Sequence, residues 1–321
     1  MTRVLFLPIF FVLMMFILEQ PAKAADGCDF SISNINFGSV TLLSGAAVDS
    51  SATLDIVCRN TLTIGLSMRV CPNIGAGSGG LNGSARQMIG PSGQALGFQL
   101  YQDAGRTIPW GSVDQPTIGA PPPIDFLSLP LTTTTVHVPI YARILANQQT
   151  AGGGAYLASF AGAQTRFSYA SYVLFPQSCA AMTQNPTQVN FDVQANVNRT
   201  CDVTAQGVNF GNHGLITSNV DAAGQLSVTC TLTLPYSISL NGGLSNTLPT
   251  QRKMTKGAEA IVYGLYKNNA RNQPWGSAAG ETVSGTGSGA QQNIPVYGRV
   301  APQNTPSTGT YTDTVVVTVT Y

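Results

Sequence analysis

The sequence predicts an all-β protein made of two tandem immunoglobulin-like antiparallel β-sandwich domains, the second lacking its final strand. Apolar residues alternate with polar ones in several runs, and 34 glycines and 19 prolines punctuate the chain. In addition, a set of short motifs occurs twice in the same order. Only 9% of the residues are charged, against ~25% in typical soluble domains. Because long amphipathic helices need a charged face and tolerate little glycine or proline, this composition excludes a helical fold.

The chain begins with a segment typical of exported proteins. Arg3 precedes an apolar stretch from Val4 to Leu18, and Ala22-Lys23-Ala24 provides a small-x-small cleavage site. The apolar stretch is shorter than the ~20 residues that cross a bilayer, and it contains Pro8. Residues 1–24 are therefore predicted to be a signal peptide rather than a transmembrane anchor.

Motifs in the second half of the chain match those in the first half. Cys28-Asp29 and Cys201-Asp202 each precede an Asn-Phe-Gly tripeptide. A second cysteine follows 30 residues later in the first half and 29 residues later in the second. Further along, Pro109-Trp110-Gly111 matches Pro274-Trp275-Gly276. Two domains of one fold explain this order most simply.

An even number of cysteines in an exported chain favours disulfides. The repeat pairs the first two cysteines of each half and leaves one pair private to the first domain. The predicted bridges are Cys28–Cys58, Cys201–Cys230 and Cys71–Cys179. A metal site is not expected, because no Cys-x-x-Cys occurs and His137 and His213 lack a ligand-like spacing to any cysteine.

Period-two alternation marks the strands of both domains, for example over residues 96–100 and 226–234. A further strand-like segment, residues 188–197, precedes Cys201 and has no counterpart after Tyr321. We expect this segment, with inward Val189, Phe191, Val193 and Val197, to complete the first domain. The second domain is then left with an apolar groove and unpaired backbone groups.

The predicted organisation is a signal peptide over 1–24, an N-terminal domain over 25–197 and a C-terminal domain over 198–321 that awaits a donor strand. The predicted acceptor edge lies on the last strand and comprises Val315, Val317, Val319 and Tyr321. The alternative, that residues 310–321 simply end a complete sheet, stays open on the pattern alone.

Composition and motifs argue against several other classes of function. The net charge is +1 with scattered Lys and Arg, so no nucleic acid is expected as a partner. The glycine-rich residues 75–80 match a dinucleotide fingerprint by letters, but no helix follows them. No G-x-S-x-G occurs, and we expect neither an enzyme nor a cofactor.

The motifs resemble those of the spore coat protein U domain family. Cys-Asp at the head of each repeat, Leu-Tyr ahead of Pro-Trp-Gly, and a last strand ending in tyrosine carry the resemblance. So do Pro295-Val296-Tyr297-Gly298-Arg299 and Tyr311-Thr312-Asp313. The resemblance covers Cys28 to Tyr321 and is stronger in the second repeat. Domains of this family build the subunits of archaic (Csu-type) chaperone-usher pili.

The resemblance implies assembly by donor-strand complementation. A periplasmic chaperone holds the incomplete domain, an outer-membrane usher exchanges it, and the N-terminal extension of the next pilin subunit supplies the missing strand. Three residues, from Ala25 to Gly27, precede Cys28 in the predicted mature chain, too few for a strand of ~5 to 6 residues. The chain is therefore expected to accept a strand without donating one. It is expected to be exported through the periplasm to the cell surface, as a two-domain adhesin at the pilus tip.

Apolar loops of the first domain are the predicted adhesive surface, for abiotic or host surfaces and for biofilm formation. Residues 121–130 are apolar and stiffened by proline, where the second domain is rich in glycine and serine. A turn around residues 152–157 is a weaker candidate. The predicted surface-binding residues are Pro121, Pro122, Pro123, Ile124, Phe126, Leu127, Leu129, Tyr156 and Leu157. The alternative is that these residues tuck into their own core.

Two other functions remain as alternatives. A structural fibre or coat subunit without adhesive specificity shares every feature except the apolar loops. A secreted carbohydrate-binding or hydrolytic sandwich predicts a monomer that folds without a chaperone.

Overall fold

The computed structural model describes residues 27–321, and the predicted signal peptide lies outside these residues. Within 27–321 the chain forms 21 strands and three short 3-10 helices, so the all-β prediction is confirmed. Over the same residues no helix has the length and apolar character to span a membrane. The 3-10 helices are Pro91–Gly93, Pro116–Ile118 and Gly162–Thr165.

The described part of the first half forms a nine-stranded and a four-stranded sheet. The strands are β1 (Gly27–Ile32), β2 (Ile35–Val40), β3 (Val48–Asn60), β4 (Leu66–Pro72), β5 (Leu81–Asn82), β6 (Ala85–Ile89), β7 (Ala95–Tyr101), β8 (Ile124–Ser128), β9 (Thr132–Ile144), β10 (Gly154–Phe160), β11 (Arg166–Tyr172), β12 (Thr187–Gln188) and β13 (Phe191–Val197). The larger sheet runs β1-β3-β9-β7-β6-β10-β13-β2, with β5 on β6, and the smaller runs β12-β11-β4-β8. Buried side chains from both sheets form one core, as expected for a sandwich.

The second half repeats this plan with fewer strands. They are β14 (Cys201–Gln206), β15 (Val220–Cys230), β16 (Pro235–Leu240), β17 (Arg252–Lys256), β18 (Glu259–Tyr266), β19 (Val283–Thr286), β20 (Gln291–Val300) and β21 (Val317–Thr320). One sheet runs β14-β15-β20-β18-β17 and the other runs β19-β16-β21. The first of these corresponds to β1-β3-β9-β7-β6, and it ends where the larger sheet of the first half continues with β10, β13 and β2.

Each half has its own core around one tryptophan. Trp110 and Trp275 are fully buried, and each indole N–H donates to a backbone carbonyl, at 2.9 and 3.1 Å. A fully buried arginine lies beside each tryptophan and donates to its carbonyl oxygen, Arg86 at 2.7 Å and Arg252 at 2.9 Å. Burial lowers the pKa of Arg86 to about 9, so this guanidinium keeps its charge at neutral pH. The duplicated Trp–Arg pair fixes the correspondence between the two halves.

All six cysteines are paired, and the pairs are those that the repeat predicts. The bridges are Cys28–Cys58, Cys71–Cys179 and Cys201–Cys230. The first and third join directly opposite residues of neighbouring antiparallel strands. The second spans 108 residues and ties the segment after β11 to β4.

The connection between the two halves is short and hydrogen-bonded. β13 ends at Val197 and β14 begins at Cys201. Thr231 is buried; its backbone N–H donates to Thr200 O at 3.0 Å, and its side-chain hydroxyl donates to Asn198 O at 3.1 Å. On the other side, Asn198 N–H donates to Val40 O at 2.8 Å. The linker is therefore fixed to both halves rather than left as a free tether.

Candidate functional site

Strand β13 is the segment that the sequence marks as spare, and it lies inside the larger sheet of the first half. It pairs antiparallel with β10 and parallel with β2. Its inward side chains Phe191, Val193, Ala195 and Val197 are buried. The Phe191 ring stacks on Phe160, with ring centroids 4.6 Å apart. The strand therefore closes the first core between two neighbours.

The second half contains counterparts of both neighbours of β13. Three residues after Arg86, Ile89 bridges to Leu157 of β10, and three residues after Arg252, Thr255 bridges to Thr312. The segment around Thr312 thus corresponds to β10, and residues 154–160 correspond to residues 309–315.

The counterpart of β2 is identified by a shared turn. Asn36 Oδ1 accepts from Gly38 N–H at 2.7 Å, and Asn209 Oδ1 accepts from Gly211 N–H at 2.9 Å. Both glycines have positive φ, 70° and 77°, a conformation that favours glycine. Residues 208–211 therefore correspond to residues 35–38 of β2.

Between these two segments, within the described residues, lies an open groove of about 1140 Å³ instead of a strand. We call this feature the acceptor groove. Its lining is largely apolar at the floor and includes Val208, Phe210, Leu226, Tyr263, Leu265, Val296 and Val300. Residues 205–216 and 305–315 form its two walls. The groove occupies the position that β13 fills in the first half.

The predicted acceptor edge only partly coincides with this groove. Val315 and Val317 line it. Val319 does not; it pairs with Ile238 of β16 and packs on the second core. Tyr321 lies beyond the end of β21, is 56% exposed and is also outside the lining. The wall formed by residues 305–315 therefore lies earlier in the chain than the edge that the alternation of apolar residues predicts.

A carboxylate in the groove lining was not among the predicted site residues. Asp313 accepts from the Tyr263 hydroxyl at 2.6 Å and from Leu244 N–H at 2.8 Å. Burial, with a smaller contribution from the hydrogen bond to Asp313, raises the pKa of Tyr263, so its hydroxyl stays protonated and donates. Tyr263 lies 50 residues from Asp313 in the chain, so no local pattern could indicate the pair.

One wall of the groove is held by a polar network at its rim. Glu259 accepts from Ser307 N–H at 3.0 Å and from the Tyr311 hydroxyl at 2.9 Å. Two hydrogen bonds from Ser307 lower the pKa of Glu259; the bond from the Ser307 hydroxyl has the larger effect and the bond from its backbone N–H the next largest. This network fixes the 305–312 segment against β18 although that segment has no strand on its groove side within the described residues.

Exposed apolar side chains collect at one end of the first half, which we call the apolar end. Three connections meet there, because Leu66 pairs with Ser128 and Ser67 pairs with Tyr172. The exposed residues are Leu62, Ile64, Leu127, Leu129 and Leu131, between 45 and 67% exposed, and Val173, Leu174 and Phe175, between 79 and 89% exposed. Buried Asn60 donates to Ile64 O at 2.9 Å and to Ser128 O at 3.1 Å, which holds two of the connections together.

The predicted surface-binding residues fall into three groups. Leu127 and Leu129 lie at the apolar end and are exposed. Of the prolines, Pro121 is buried, Pro122 is half-buried and Pro123 is exposed.

The remaining predicted residues do not lie in an exposed loop, as the sequence predicts, but in strands of the first half. Ile124 and Phe126 belong to β8, an edge strand on β4, and pack against the first core. Tyr156 is 1% exposed, and its hydroxyl donates to Gly152 O at 2.9 Å. Leu157 is exposed, but it lies on β10, away from the apolar end.

The sequence holds a signal for the members of the apolar end that the predicted set of surface-binding residues does not include. Residues 61–65 and 173–175 place several apolar side chains in short segments outside strands. Such segments are normally polar, so their apolar content is itself an indication of a binding surface.

Comparison with known proteins matches two segments of the chain, residues 15–160 and 187–318, to the model of the Spore Coat Protein U domain. The chain is 35% identical over 170 residues to Protein U of Myxococcus xanthus. This match covers 47% of the present chain and 92% of Protein U.

A solved structure shares the fold. A chain of the chaperone-tip adhesion subunit pre-assembly complex of the archaic chaperone-usher Csu pili of Acinetobacter baumannii is 19% identical. The match covers 92% of this chain and 100% of that chain, with a TM-score of 0.53. The CupB6 tip adhesin from Pseudomonas aeruginosa is 11% identical over 92% of this chain and 95% of that one, with a TM-score of 0.38. The two matched segments together cover most of the chain. The chain therefore belongs to the Spore Coat Protein U domain family, as its motifs predict.

Proposed function

We propose that the protein is an adhesive subunit of a chaperone-usher pilus, exported to the cell surface, whose second domain accepts a β-strand from another subunit. The observation that carries this proposal is the acceptor groove, which is open at the position where β13 completes the first domain. We take residues 25–197 and 198–321 as the two domains.

The first domain supplies the argument for a strand as the occupant. There the same position holds an extended segment with four buried apolar side chains, Phe191, Val193, Ala195 and Val197. Fully burying a Val or Phe side chain contributes ~1.5–3 kcal/mol, and ladder hydrogen bonds add to this. A strand of the same alternation is the ligand whose shape and backbone groups fit the groove.

The proposed partners follow from this mode of binding. The N-terminal extension of the next pilin subunit is the proposed donor, and a periplasmic chaperone and an outer-membrane usher are the proposed assembly factors. The related Acinetobacter baumannii structure is described as a chaperone-tip adhesion subunit complex. That likeness supports a chaperone partner and a position at the pilus tip.

Binding of a strand is tested with the full mature chain and a peptide of residues 187–198. At a concentration of about 100 times its Kd, a bound peptide stabilises the second domain by about 2.7 kcal/mol, which raises its thermal midpoint on the order of 10 °C. The control peptide carries Asp at the four inward positions. A second domain that unfolds cooperatively and gains nothing from the peptide contradicts the proposal and favours a self-sufficient secreted sandwich.

The apolar end is the proposed adhesive surface. Two of its three connections are held together by the hydrogen bonds of Asn60, and Leu127 is held in strand β8, so the exposure of these residues is built into the fold. Contact with an apolar abiotic surface or a hydrophobic host patch removes this area from water, which is favourable at roughly 25 cal/mol per Å².

Adhesion is tested by binding of the full chain to alkylated glass, measured as adsorbed mass. Ile64→Ser together with Leu129→Ser is expected to weaken binding roughly 30-fold, since the two half-exposed side chains contribute about 1 kcal/mol each. Leu157→Ser is the matched control, because Leu157 is 45% exposed on another face. Equal binding by both variants and the unchanged chain favours a structural subunit without adhesive specificity.

A further inference from the structure

The first domain shows which side chains meet across its completing strand. In the antiparallel register of β10 and β13, Val193 lies opposite Ala158, and Phe191 lies opposite Phe160. On its other side Val193 lies beside Ile35 of β2. Because directly opposite side chains share one face, Val193 projects into the core over the methyl group of Ala158.

The corresponding position of the second domain carries a charge. The bridge of Leu157 to Ile89 corresponds to the bridge of Thr312 to Thr255. One residue further along, Ala158 therefore corresponds to Asp313. Where the first domain offers a methyl group to its strand, the second offers a carboxylate that lines the acceptor groove.

The carboxylate of Asp313 is held in place. It accepts hydrogen bonds from the Tyr263 hydroxyl at 2.6 Å, from Leu244 N–H at 2.8 Å and from Thr314 N–H at 2.8 Å. A carboxylate accepts about four hydrogen bonds, so these three leave about one position unsatisfied. A strand inserted into the groove covers that position and removes it from water.

We propose that Asp313 determines the specificity of the acceptor groove for its donor strand, an inference that rests on the proposed function. A donor with an aliphatic residue over Asp313 buries a charged acceptor without a partner, which is unfavourable. A donor with a hydroxyl at this position, from Thr or Ser, supplies the missing hydrogen bond. The selected partner is therefore an alternating apolar strand interrupted by one hydroxyl residue.

The same residue discriminates against the chain's own strand. The 188–197 segment of a second copy has the right alternation for the groove, but it places Val193 over Asp313. Complementation between copies of this chain is thereby disfavoured relative to a donor from a different subunit.

The test uses the full mature chain and two fluorescein-labelled peptides of residues 187–198, one with the natural sequence and one with Val193→Thr. Thr and Val have nearly the same shape, so the pair isolates the hydroxyl. The Val193→Thr peptide is expected to bind at least about 10-fold more tightly by fluorescence anisotropy, as one hydrogen bond to a charged group produces.

Variants of the groove supply the comparison. In Asp313→Ala the preference is expected to disappear or reverse, and in Asp313→Asn, which keeps the shape and an acceptor for the Tyr263 hydroxyl, it is expected to shrink. Equal peptide ratios in the unchanged chain and in both variants overturn the role of Asp313 while strand binding itself stands. Failure of both peptides to bind the unchanged chain and the variants overturns the proposed function and this inference together.

Discussion

Truncating Phe191 tests whether β13 is an integral part of the first domain. The side chain is 3% exposed and its ring stacks on Phe160 at 4.6 Å. Deleting a buried phenylalanine side chain costs about 3–5 kcal/mol, through lost transfer free energy and the cavity left behind. A typical domain has only ~5–15 kcal/mol of stability in total, so Phe191→Ala removes a large share of it.

The assay is urea unfolding followed by tryptophan fluorescence in a Trp275→Phe background, which leaves Trp110 as the only tryptophan and as a reporter of the first domain. With an m-value of about 2 kcal/mol/M, the midpoint is expected to fall by about 2 M. Gln194→Ala is the matched control, because Gln194 is exposed on the same strand and its loss should cost under about 0.5 kcal/mol. Equal midpoints for the two variants refute the conclusion that β13 completes this core.

Two further predictions concern the segments behind the apolar end. The Arg69 guanidinium donates to Asp125 at 2.8 and 2.5 Å and holds the pKa of that carboxyl below its usual value. The stabilising contribution of this ion pair is therefore present above the unfolded-state pKa of Asp125 and is lost as the pH falls through the folded-state pKa. Asp125→Asn is expected to flatten the acid limb of a curve of stability against pH below about pH 4, and an unchanged limb contradicts this. Replacing both Cys71 and Cys179 with serine opens a loop of 108 residues and should cost about 4–5 kcal/mol in the chain-entropy model, measured by urea unfolding; a loss under about 1 kcal/mol speaks against that account.

Much of the fold is predictable because its signals are local or repeated. Alternation within single runs indicates strands, and the duplicated motifs indicate two domains and the cysteine pairs. The segment around Phe191 is recognisable as a strand for the same reason. Its two neighbours are not, since β10 lies about 30 residues upstream and β2 more than 150 residues upstream, and no local pattern encodes such pairings.

The candidate site is less predictable, because exposure depends on which neighbour covers a side chain. The prolines of residues 121–130 predict a loop, yet proline is compatible with the approach to an edge strand, and β8 pairs with β4 there. Its alternation then turns Phe126 inward and Leu127 outward. Likewise, the predicted acceptor edge extends to Tyr321, but the groove lining ends at Val317, and Val319, opposite Ile238 of β16, packs half-buried against the second core instead.

The short linker after β13 has a mechanical consequence. Because only three residues separate β13 from β14, tension that the covalent chain carries from the second domain reaches the first domain at the C-terminal end of β13. The hydrogen bonds between β13 and β10 run perpendicular to that axis and join seven residue pairs, and the bonds to β2 lie on the other side. A pull along the strand therefore loads all of these bonds in shear at once instead of opening them one after another. The element that completes the first domain is also the one through which a strained fibre would transmit force.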